Sequence, residues 1–479
     1  MASAVLVVAQ IASTAVTARL LVPREFGLYA TAQAGAGLVG YFTMAAVGQG
    51  LQRQRRLGGR TVGTAMTLSF SSSFAVALIL WLGASPWARA WGVPDAAAAV
   101  RVIALALFLT SSATVPVALI RRRLQFGRAA IVETGSLVIG LAAGVALAVQ
   151  LHSAVALALG QTVWGATLLL ASSAIVRDEL RFCYDRGAAR ELLAFASQVS
   201  ALNFGSYVAI TAPSWFAARQ FGASALGLYS RAFLIVYLPV DYVSSSIYKV
   251  LYPIYGRVRH DAERIRVLLD EALTLTTGFA WPLFGLLAGA SPVVVRVLLG
   301  ARFEGSAPLV SLFALGACAS IASGLLTNAA EAFGWMRTIA LRQAAFFGGV
   351  LAAMLTVFLA DLSLSWLLAG VAAAQWAAYL LTLQPFIARD FLEAAVVLRS
   401  QLAHAAAAAL AFAATAACAR LLDHAPVAVQ AAGQASLGAL AVGAMGIGRS
   451  RFPAARVLFR RLATDPPRPS AGSDSGTGL

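Results

Sequence analysis

Charged side chains are scarce inside the long apolar stretches of this 479-residue chain, so the few that occur there are candidates for chemistry. Arg231 and Lys249 lie in one apolar stretch. They are eighteen residues apart, which is five full turns of an α-helix, so both side chains point the same way. Tyr242 and Ser245 fall on nearly the same face. Such a line of cation, aromatic ring, hydroxyl and cation is typical of a helix along which a polar group passes. Alternatively, both cations extend to water at the helix ends, or Pro239 bends the helix and breaks the alignment.

Other charges within apolar stretches divide into cations and acids. Because a charge surrounded by hydrocarbon is costly, each is expected to face a cavity or a partner. The further cations that we expect to line a cavity are Arg19, Arg101 and Arg342. The acids that could carry a coupling proton or sodium ion are Asp241, Glu133 and Glu331, and Asp241 has the least obvious partner.

Structural roles are open for the same residues. Arg19 could be an interfacial anchor that caps helix carbonyls. Glu133 could form an ion pair with Arg128 or Lys249, and Glu331 could form one with Arg337. Both interpretations stay open at the level of the sequence.

The composition indicates which solvent surrounds the chain. Hydrophobic residues make up 60% and charged residues only 12%, whereas soluble domains are about 45–50% apolar and about 25% charged. So few charges could not cover the surface of a soluble fold. A net charge of +16 is typical of proteins that bind nucleic acid. Arginines concentrated in the loops at the ends of membrane spans explain this charge more simply.

Apolar stretches long enough to cross a bilayer, which takes roughly 20 residues each, recur along the whole chain. None has the alternation of an outer-membrane barrel strand. The sequence therefore predicts an all-α integral membrane protein with about 14 transmembrane helices. The stretches are 1–21, 28–50, 61–84, 98–120, 129–150, 154–176, 197–218, 226–252, 273–299, 308–331, 338–360, 363–387, 401–422 and 426–448.

The loops between these stretches alternate in charge. One set, with the C-terminal tail, carries 25 arginines and the other set carries 4. By the positive-inside rule both termini are expected in the cytoplasm. The segment 177–196 has the mixed charge of an interfacial amphipathic linker, and the end of the chain is rich in Pro, Gly and Ser, as disordered tails are.

Motifs of soluble catalysis are missing from the sequence. Cys183, Cys318 and Cys418 are far apart and form no CxxC pair, so neither a disulfide framework nor a zinc site is indicated. There is no P-loop, no HExxH and no DxD acidic pair. We therefore expect no catalytic residue, no metal site and no cofactor, and an ATP-driven pump within one chain is disfavoured.

An internal repeat relates two parts of the chain. Residues 18–32 and 218–232 match at an offset of 200 in six positions, and both segments join the first and second helices of a six-helix block. Six is an even number, so both blocks have the same orientation. Transporters commonly place the substrate path between such halves and use rocking motions for alternating access.

Several segments resemble the Wzx-type polysaccharide flippases of the multidrug/oligosaccharidyl-lipid/polysaccharide exporter superfamily, nearest the colanic-acid and exopolysaccharide exporters. The segments that carry the resemblance are RLLVPREFGLY (19–29), IRRRLQF (120–126), LGLYSRA (226–232) and LLGARFEGSAPLVSLFAL (298–315). The resemblance implies two six-helix lobes followed by two extra helices. The boundaries that we predict are 1–176 for the N lobe, 177–196 for the linker, 197–387 for the C lobe, 401–448 for the extra helices and 449–479 for the tail.

The resemblance also implies a substrate, an oligosaccharide repeat unit on undecaprenyl pyrophosphate. The unit would move from the cytoplasmic to the outer leaflet of a bacterial inner membrane for exopolysaccharide or lipopolysaccharide synthesis. The other expected partners are membrane lipids, a polymerase and a chain-length regulator, and no nucleic acid is expected. Guanidinium groups suit such a pyrophosphate because they form bidentate hydrogen bonds. Two alternatives stay open, a cation-coupled drug or metabolite exporter and a membrane polysaccharide polymerase or ligase. Short outer loops argue against the enzyme.

Overall fold

Helices account for all the regular secondary structure that the computed structural model describes, which covers residues 2–40, 42, 59–258, 261–422 and 424–447. Short 3-10 turns at Pro94–Ala96, Arg177–Glu179 and Ala301–Ser306 join some of them. The helices are α1 (Ala2–Leu20), α2 (Pro23–Gly40), α3 (Gly59–Leu82), α4 (Ala84–Ala90), α5 (Ala97–Ser112), α6 (Thr114–Arg122), α7 (Phe126–Leu151), α8 (Ala154–Ile175), α9 (Arg186–Val258), α10 (Ala262–Gly289), α11 (Ser291–Leu298), α12 (Ala307–Ala332), α13 (Met336–Leu359), α14 (Leu364–Ala388), α15 (Ala394–Leu421) and α16 (Val427–Ile447).

The predicted all-α membrane fold is confirmed, but the count of 14 spans is not. Among the described residues, ten helical segments are long and apolar enough to cross a membrane. The predicted stretches 197–218 and 226–252 lie within the single helical run α9 and contribute one such segment, Tyr207–Asp241. The apolar part of α1 is short, and the predicted stretch 28–50 continues beyond the part of α2 that the structure describes. The protein is a multi-pass membrane protein.

The long helix α9 is interrupted once. Gly222 has φ 83° and ψ 177°, which are non-helical angles that glycine adopts without a steric penalty. This break falls between the two apolar stretches that the sequence predicts as separate helices.

The chain forms two compact units. The first consists of Met1–Tyr242, Val294–Phe313 and Phe346–Ala374, and the second of the remaining segments. The predicted lobe boundaries come from the sequence repeat, whereas these two units are defined by which residues pack together. The division into lobes therefore stays a prediction.

Within the first unit, the two copies of the repeat meet at glycines. A Cβ atom on Gly27 of α2 would lie 1.8 Å from the carbonyl oxygen of Ala223, and one on Gly227 would lie 1.8 Å from that of Pro23. Both positions are therefore restricted to glycine, as at other close crossings of membrane helices. This contact sets how α2 lies against the part of α9 that follows Gly222.

A second close approach joins α7 and α8. A Cβ atom on Gly160 would lie 2.6 Å from the Cα atom of Gly144, and one on Gly140 would lie 2.4 Å from the Cβ atom of Trp164. Helix α8 therefore comes this close to α7 at Trp164 only because residue 140 lacks a side chain.

The second unit has its own core. Its largest buried members include Tyr255, Tyr379 and Phe386. Helix α15 packs closely on α10, where a Cβ atom on Gly285 would lie 2.2 Å from the carbonyl oxygen of Ala408. The buried His404 lies 2.9 Å from the hydroxyl of Thr277 across the same interface.

Candidate functional site around Arg231

Three helices of the first unit present polar side chains toward one another. Phe26, Tyr29 and Gln33 are spaced by three and four residues, so they share one face of α2. Gln161 and Trp164 share a face of α8 in the same way. Helix α9 supplies a cation between them. We call the residues Phe26, Tyr29, Gln33, Gln161, Trp164 and Arg231 the Arg231 cluster.

Arg231 reaches the cluster over an aromatic ring. Its guanidinium carbon lies 4.6 Å from the ring centroid of Phe26, which is within cation–π range. The Nε atom is shielded from solvent and has no hydrogen-bond partner among the described residues. Since an unsatisfied buried donor costs free energy, this N–H is available to an acceptor that enters the site.

Tyr29 connects the remaining members of the cluster. Gln33 Nε2 donates to the Tyr29 hydroxyl at 3.1 Å, and Gln161 is also hydrogen-bonded to it. The hydroxyl lies within electrostatic reach of Arg231. These bonds fix the phenol relative to the cation.

A small recess opens beside these groups. It has a volume of about 60 Å³, and Tyr29, Gln161, Trp164 and Ser13 are its polar lining residues. Trp164 Nε1 is buried and, within the described part of the chain, has no acceptor. The recess holds a few water-sized groups and is too small for a sugar. With two unused donors, the Arg231 cluster favours acceptors such as phosphate or hydroxyl oxygens.

Arg19 and Arg101 lie in other surroundings. Arg19 Nη2 donates at 3.2 Å to the carbonyl oxygen of Val297, in the last turn of α11, which is the contact of a capping cation. Arg101 Nη2 donates at 3.1 Å to Ser85 Oγ, and its guanidinium carbon lies 5.9 Å from the ring of Trp81. Neither contact involves a member of the Arg231 cluster. A role for either cation in binding substrate stays a prediction.

Glu133 is paired with Arg121, which was neither of the two partners expected from the sequence. Arg121 Nη2 donates to both of its carboxylate oxygens, at 2.7 and 2.9 Å, whereas Arg128 contacts Gln125. The chain reverses at Leu124, whose φ is 56°, and this turn brings the end of α6 beside α7.

In the second unit, Glu331 interacts electrostatically with Arg342, whereas the sequence suggested Arg337 as its partner. Arg342 Nε also donates to Ser323 Oγ at 2.9 Å. The two predicted site residues, one cation and one acid, are thus brought together between α12 and α13.

The other predicted site residues in this part of α9 are described less fully. Asp241 is exposed at the end of a membrane-spanning segment. The backbone is helical at Tyr242, Ser245 and Lys249, but their side chains lie outside the described residues. The only non-helical angles within α9 are at Gly222, so the described backbone continues as a helix through Pro239.

The sequence analysis missed the uncharged members of the Arg231 cluster. Gln33 and Gln161 are amides within apolar stretches, and Tyr29 belongs to the repeated Gly-Leu-Tyr segment, so both signals were present. Because they carry no charge, they differ less from their apolar neighbours than a cation does.

Comparison with known proteins identifies related chains. The chain is 27% identical over 351 residues to the succinoglycan biosynthesis transport protein ExoT of Rhizobium meliloti (strain 1021), covering 71% of this chain and 68% of that one. It is 22% identical over 302 residues to the lipopolysaccharide biosynthesis protein WzxC of Escherichia coli (strain K12), covering 62% and 61%.

Similarity in fold extends over nearly the whole chain. The lipid II flippase MurJ, in an inward closed conformation, matches with a TM-score of 0.70 at 10% identity, covering 92% of this chain and 98% of MurJ. At this identity the match concerns the fold alone. The sequence profile of a family described as polysaccharide biosynthesis protein matches residues 16–308, which is more than half of the chain. The chain therefore belongs to the polysaccharide biosynthesis protein family.

Proposed function

We propose that this protein is a flippase that moves oligosaccharide repeat units, linked to a polyprenyl pyrophosphate, from the cytoplasmic to the outer leaflet for polysaccharide synthesis. The relatives are named as a succinoglycan transport protein and a lipopolysaccharide biosynthesis protein. The observation that carries the proposal is Arg231, a cation within a membrane-spanning segment whose shielded Nε has no partner among the described residues. A diphosphate supplies the acceptors that such a group lacks.

In this proposal the Arg231 cluster holds the anionic part of the substrate. Tyr29 offers a hydroxyl near the cation and Trp164 an indole N–H in the adjoining recess, and sugar hydroxyls can accept from both. The recess is too small for an oligosaccharide. Transport therefore requires a conformational change that widens it, as alternating access provides.

The arginine distribution supports a location and an orientation. With 25 arginines on one set of loops and 4 on the other, we place both termini in the cytoplasm of a bacterium and the chain in its inner membrane. Reporter fusions after Ile175 and after Leu421 test this orientation. A cytoplasmic reporter signal at Ile175 and an external signal at Leu421 are expected, and the reverse pattern contradicts the proposal.

Lipid-linked intermediates in cells provide the main test. Cells without this protein are expected to accumulate lipid-linked repeat units in the inner leaflet, and the wild-type gene is expected to restore their transfer. Arg231→Ala is expected to slow transfer at least about tenfold, which is the factor given by the loss of a hydrogen bond to a charged group. Arg231→Lys should retain part of the activity, and Arg128→Gln, on the exposed start of α7, serves as the control.

Two other functions predict different results. A drug or metabolite exporter would change drug sensitivity while lipid-linked units crossed at normal rates. A polymerase or ligase would extend chains from lipid-linked units supplied to the purified protein. Either result contradicts the flippase proposal, and the names of the relatives favour neither.

A further inference from the structure

A large groove lies at the end of the first unit, away from the Arg231 cluster. Its volume is about 1100 Å³, and it is bounded by the start of α3, the end of α6 and the segment 178–183. Four arginines line it, namely Arg60, Arg122, Arg123 and Arg181. The proposed function uses none of these residues.

The segment that closes the groove is held in place by hydrogen bonds to α3. Thr67 Oγ1 donates to the Cys183 carbonyl oxygen at 2.9 Å, and the Asp185 amide donates to Thr64 Oγ1 at 2.9 Å. A Cβ atom on Gly63 would lie 2.4 Å from Cys183 Sγ, so the segment lies directly on the helix. The groove therefore has a fixed wall.

The charges of the groove do not cancel. Two acids line it, and Glu179 accepts from Arg123 Nε at 2.9 Å. Asp178 is 3.7 Å from Arg177, outside the groove lining. Arg60 and Arg181 are exposed and, across the described ranges, form no ion pair with an acid. An excess of positive charge is thus left facing the groove.

An exposed column of phenylalanines begins at the same groove. Phe182 lines the groove and is 65% exposed. The ring centroid of Phe182 lies 5.8 Å from that of Phe70. The ring centroid of Phe108 lies 5.0 Å from that of Phe70 and 6.0 Å from that of Phe74. From Arg60 to Phe70 is ten residues of α3, or about 15 Å. That distance is about half of the ~30 Å hydrocarbon core, so Phe70 lies about one leaflet's thickness from Arg60 along α3.

We propose that this groove and the phenylalanine column together bind an anionic phospholipid of the leaflet that adjoins the arginine-rich loops. The phosphate of the headgroup lies between Arg60 and Arg181, and one acyl chain lies along Phe182 and Phe70. A soluble anion would use the groove but not the column. A lipid is favoured because the basic groove adjoins an apolar surface that reaches about one leaflet deep.

Lipid binding to the purified full-length protein tests the proposal. Native mass spectrometry would titrate the protein with dioleoylphosphatidylglycerol, with dioleoylphosphatidylethanolamine and with glycerol phosphate. We expect phosphatidylglycerol to bind more tightly than phosphatidylethanolamine, and glycerol phosphate to bind least. Equal binding of glycerol phosphate and phosphatidylglycerol would identify a soluble-anion site and overturn the proposal.

Two variants and a control assign the binding to this groove. The double variant Arg60→Gln/Arg181→Gln should weaken phosphatidylglycerol binding about thirtyfold, because each basic residue near a membrane contributes a factor of about five. Phe182→Ala changes an exposed side chain, so we expect the protein to fold normally. This variant should weaken phosphatidylglycerol binding and leave glycerol phosphate binding unchanged. Arg128→Gln removes a cation outside the groove lining and should change neither. Unchanged phosphatidylglycerol binding in the double variant or in Phe182→Ala contradicts the proposal.

Discussion

Gly27 and Gly227 occupy equivalent positions in a reciprocal contact. Gly27 faces the backbone of Ala223, Gly227 faces the backbone of Pro23, and each pair of equivalent residues is separated by 200 positions. The repeat found in the sequence is therefore also a packing relationship within the first unit. The contact places α2, with Phe26 and Tyr29, against the part of α9 that carries Arg231.

Replacing a glycine of this contact should destabilise the protein. Gly27→Ala places a methyl group onto a backbone oxygen that no side-chain rotation can move aside, and overpacking of this kind costs about 1–3 kcal/mol. Thermal unfolding of the purified protein in detergent measures the effect. Gly348→Ala, at a helical position with open space, is the matched control and should not lower the midpoint. Equal midpoints for the two variants would show that the contact is not tight.

The position of Trp164 should depend on Gly140. Gly140→Ala places a methyl group against the Cα and Cβ atoms of Trp164 and the carbonyl oxygen of Gly160, so α8 must move away from α7 and carry the indole with it, and transfer of lipid-linked units is expected to fall. Gly135→Ala lies on the same helix with nothing near its Cβ position, and transfer should stay at the wild-type rate. Tryptophan fluorescence of both variants would report the displaced indole, and an unchanged spectrum in Gly140→Ala contradicts the prediction.

Tyr29→Phe should distinguish the effect of the hydrogen bonds on transfer from the effect of packing. The ring stays, but Gln33 and Gln161 lose the hydroxyl that they share. An unsatisfied polar group costs about 1–3 kcal/mol, so transfer is expected to slow about tenfold or more if the network orients the site. Gln125→Ala, at a half-buried position between α6 and α7, is a control for substitution in general. Normal transfer by Tyr29→Phe would exclude the hydroxyl from the mechanism.

Glu133 offers a test of ion coupling against simple pairing. Its bond with Arg121 is partly exposed, with side-chain exposures of 33% and 46%, and exposed ion pairs contribute about 0–1 kcal/mol. If the pair is structural, Glu133→Gln loses at most that much stability and transports normally. The exchanged double variant Arg121→Glu/Glu133→Arg should then behave in the same way. Transport by Glu133→Gln that no longer responds to an imposed proton or sodium gradient would instead assign coupling to this carboxylate.

Much of the fold could be predicted from where apolar residues lie along the sequence. Apolar stretches predict membrane helices because the bilayer requires them, and the break at Gly222 falls where two stretches meet. The count of 14 spans stays a prediction. Hydropathy separates 197–218 from 226–252, and the non-helical angles at Gly222 fall between these two stretches within α9.

The candidate site was predictable only in part. Arg231 stands out because a cation in an apolar stretch is costly, whereas uncharged residues such as Gln161 are tolerated in many membrane helices. The partners of charged residues were harder still. Glu133 lies closer in sequence to Arg128 than to Arg121, but the reversal at Leu124 selects the more distant arginine.

The glycine contact also has the symmetry of a subunit interface. An interface in which each copy offers the same residue to the other has the geometry of an isologous dimer with a two-fold axis. Gly27 and Gly227 therefore form, inside a single polypeptide, the kind of self-complementary contact that two copies of one chain make in a symmetric dimer.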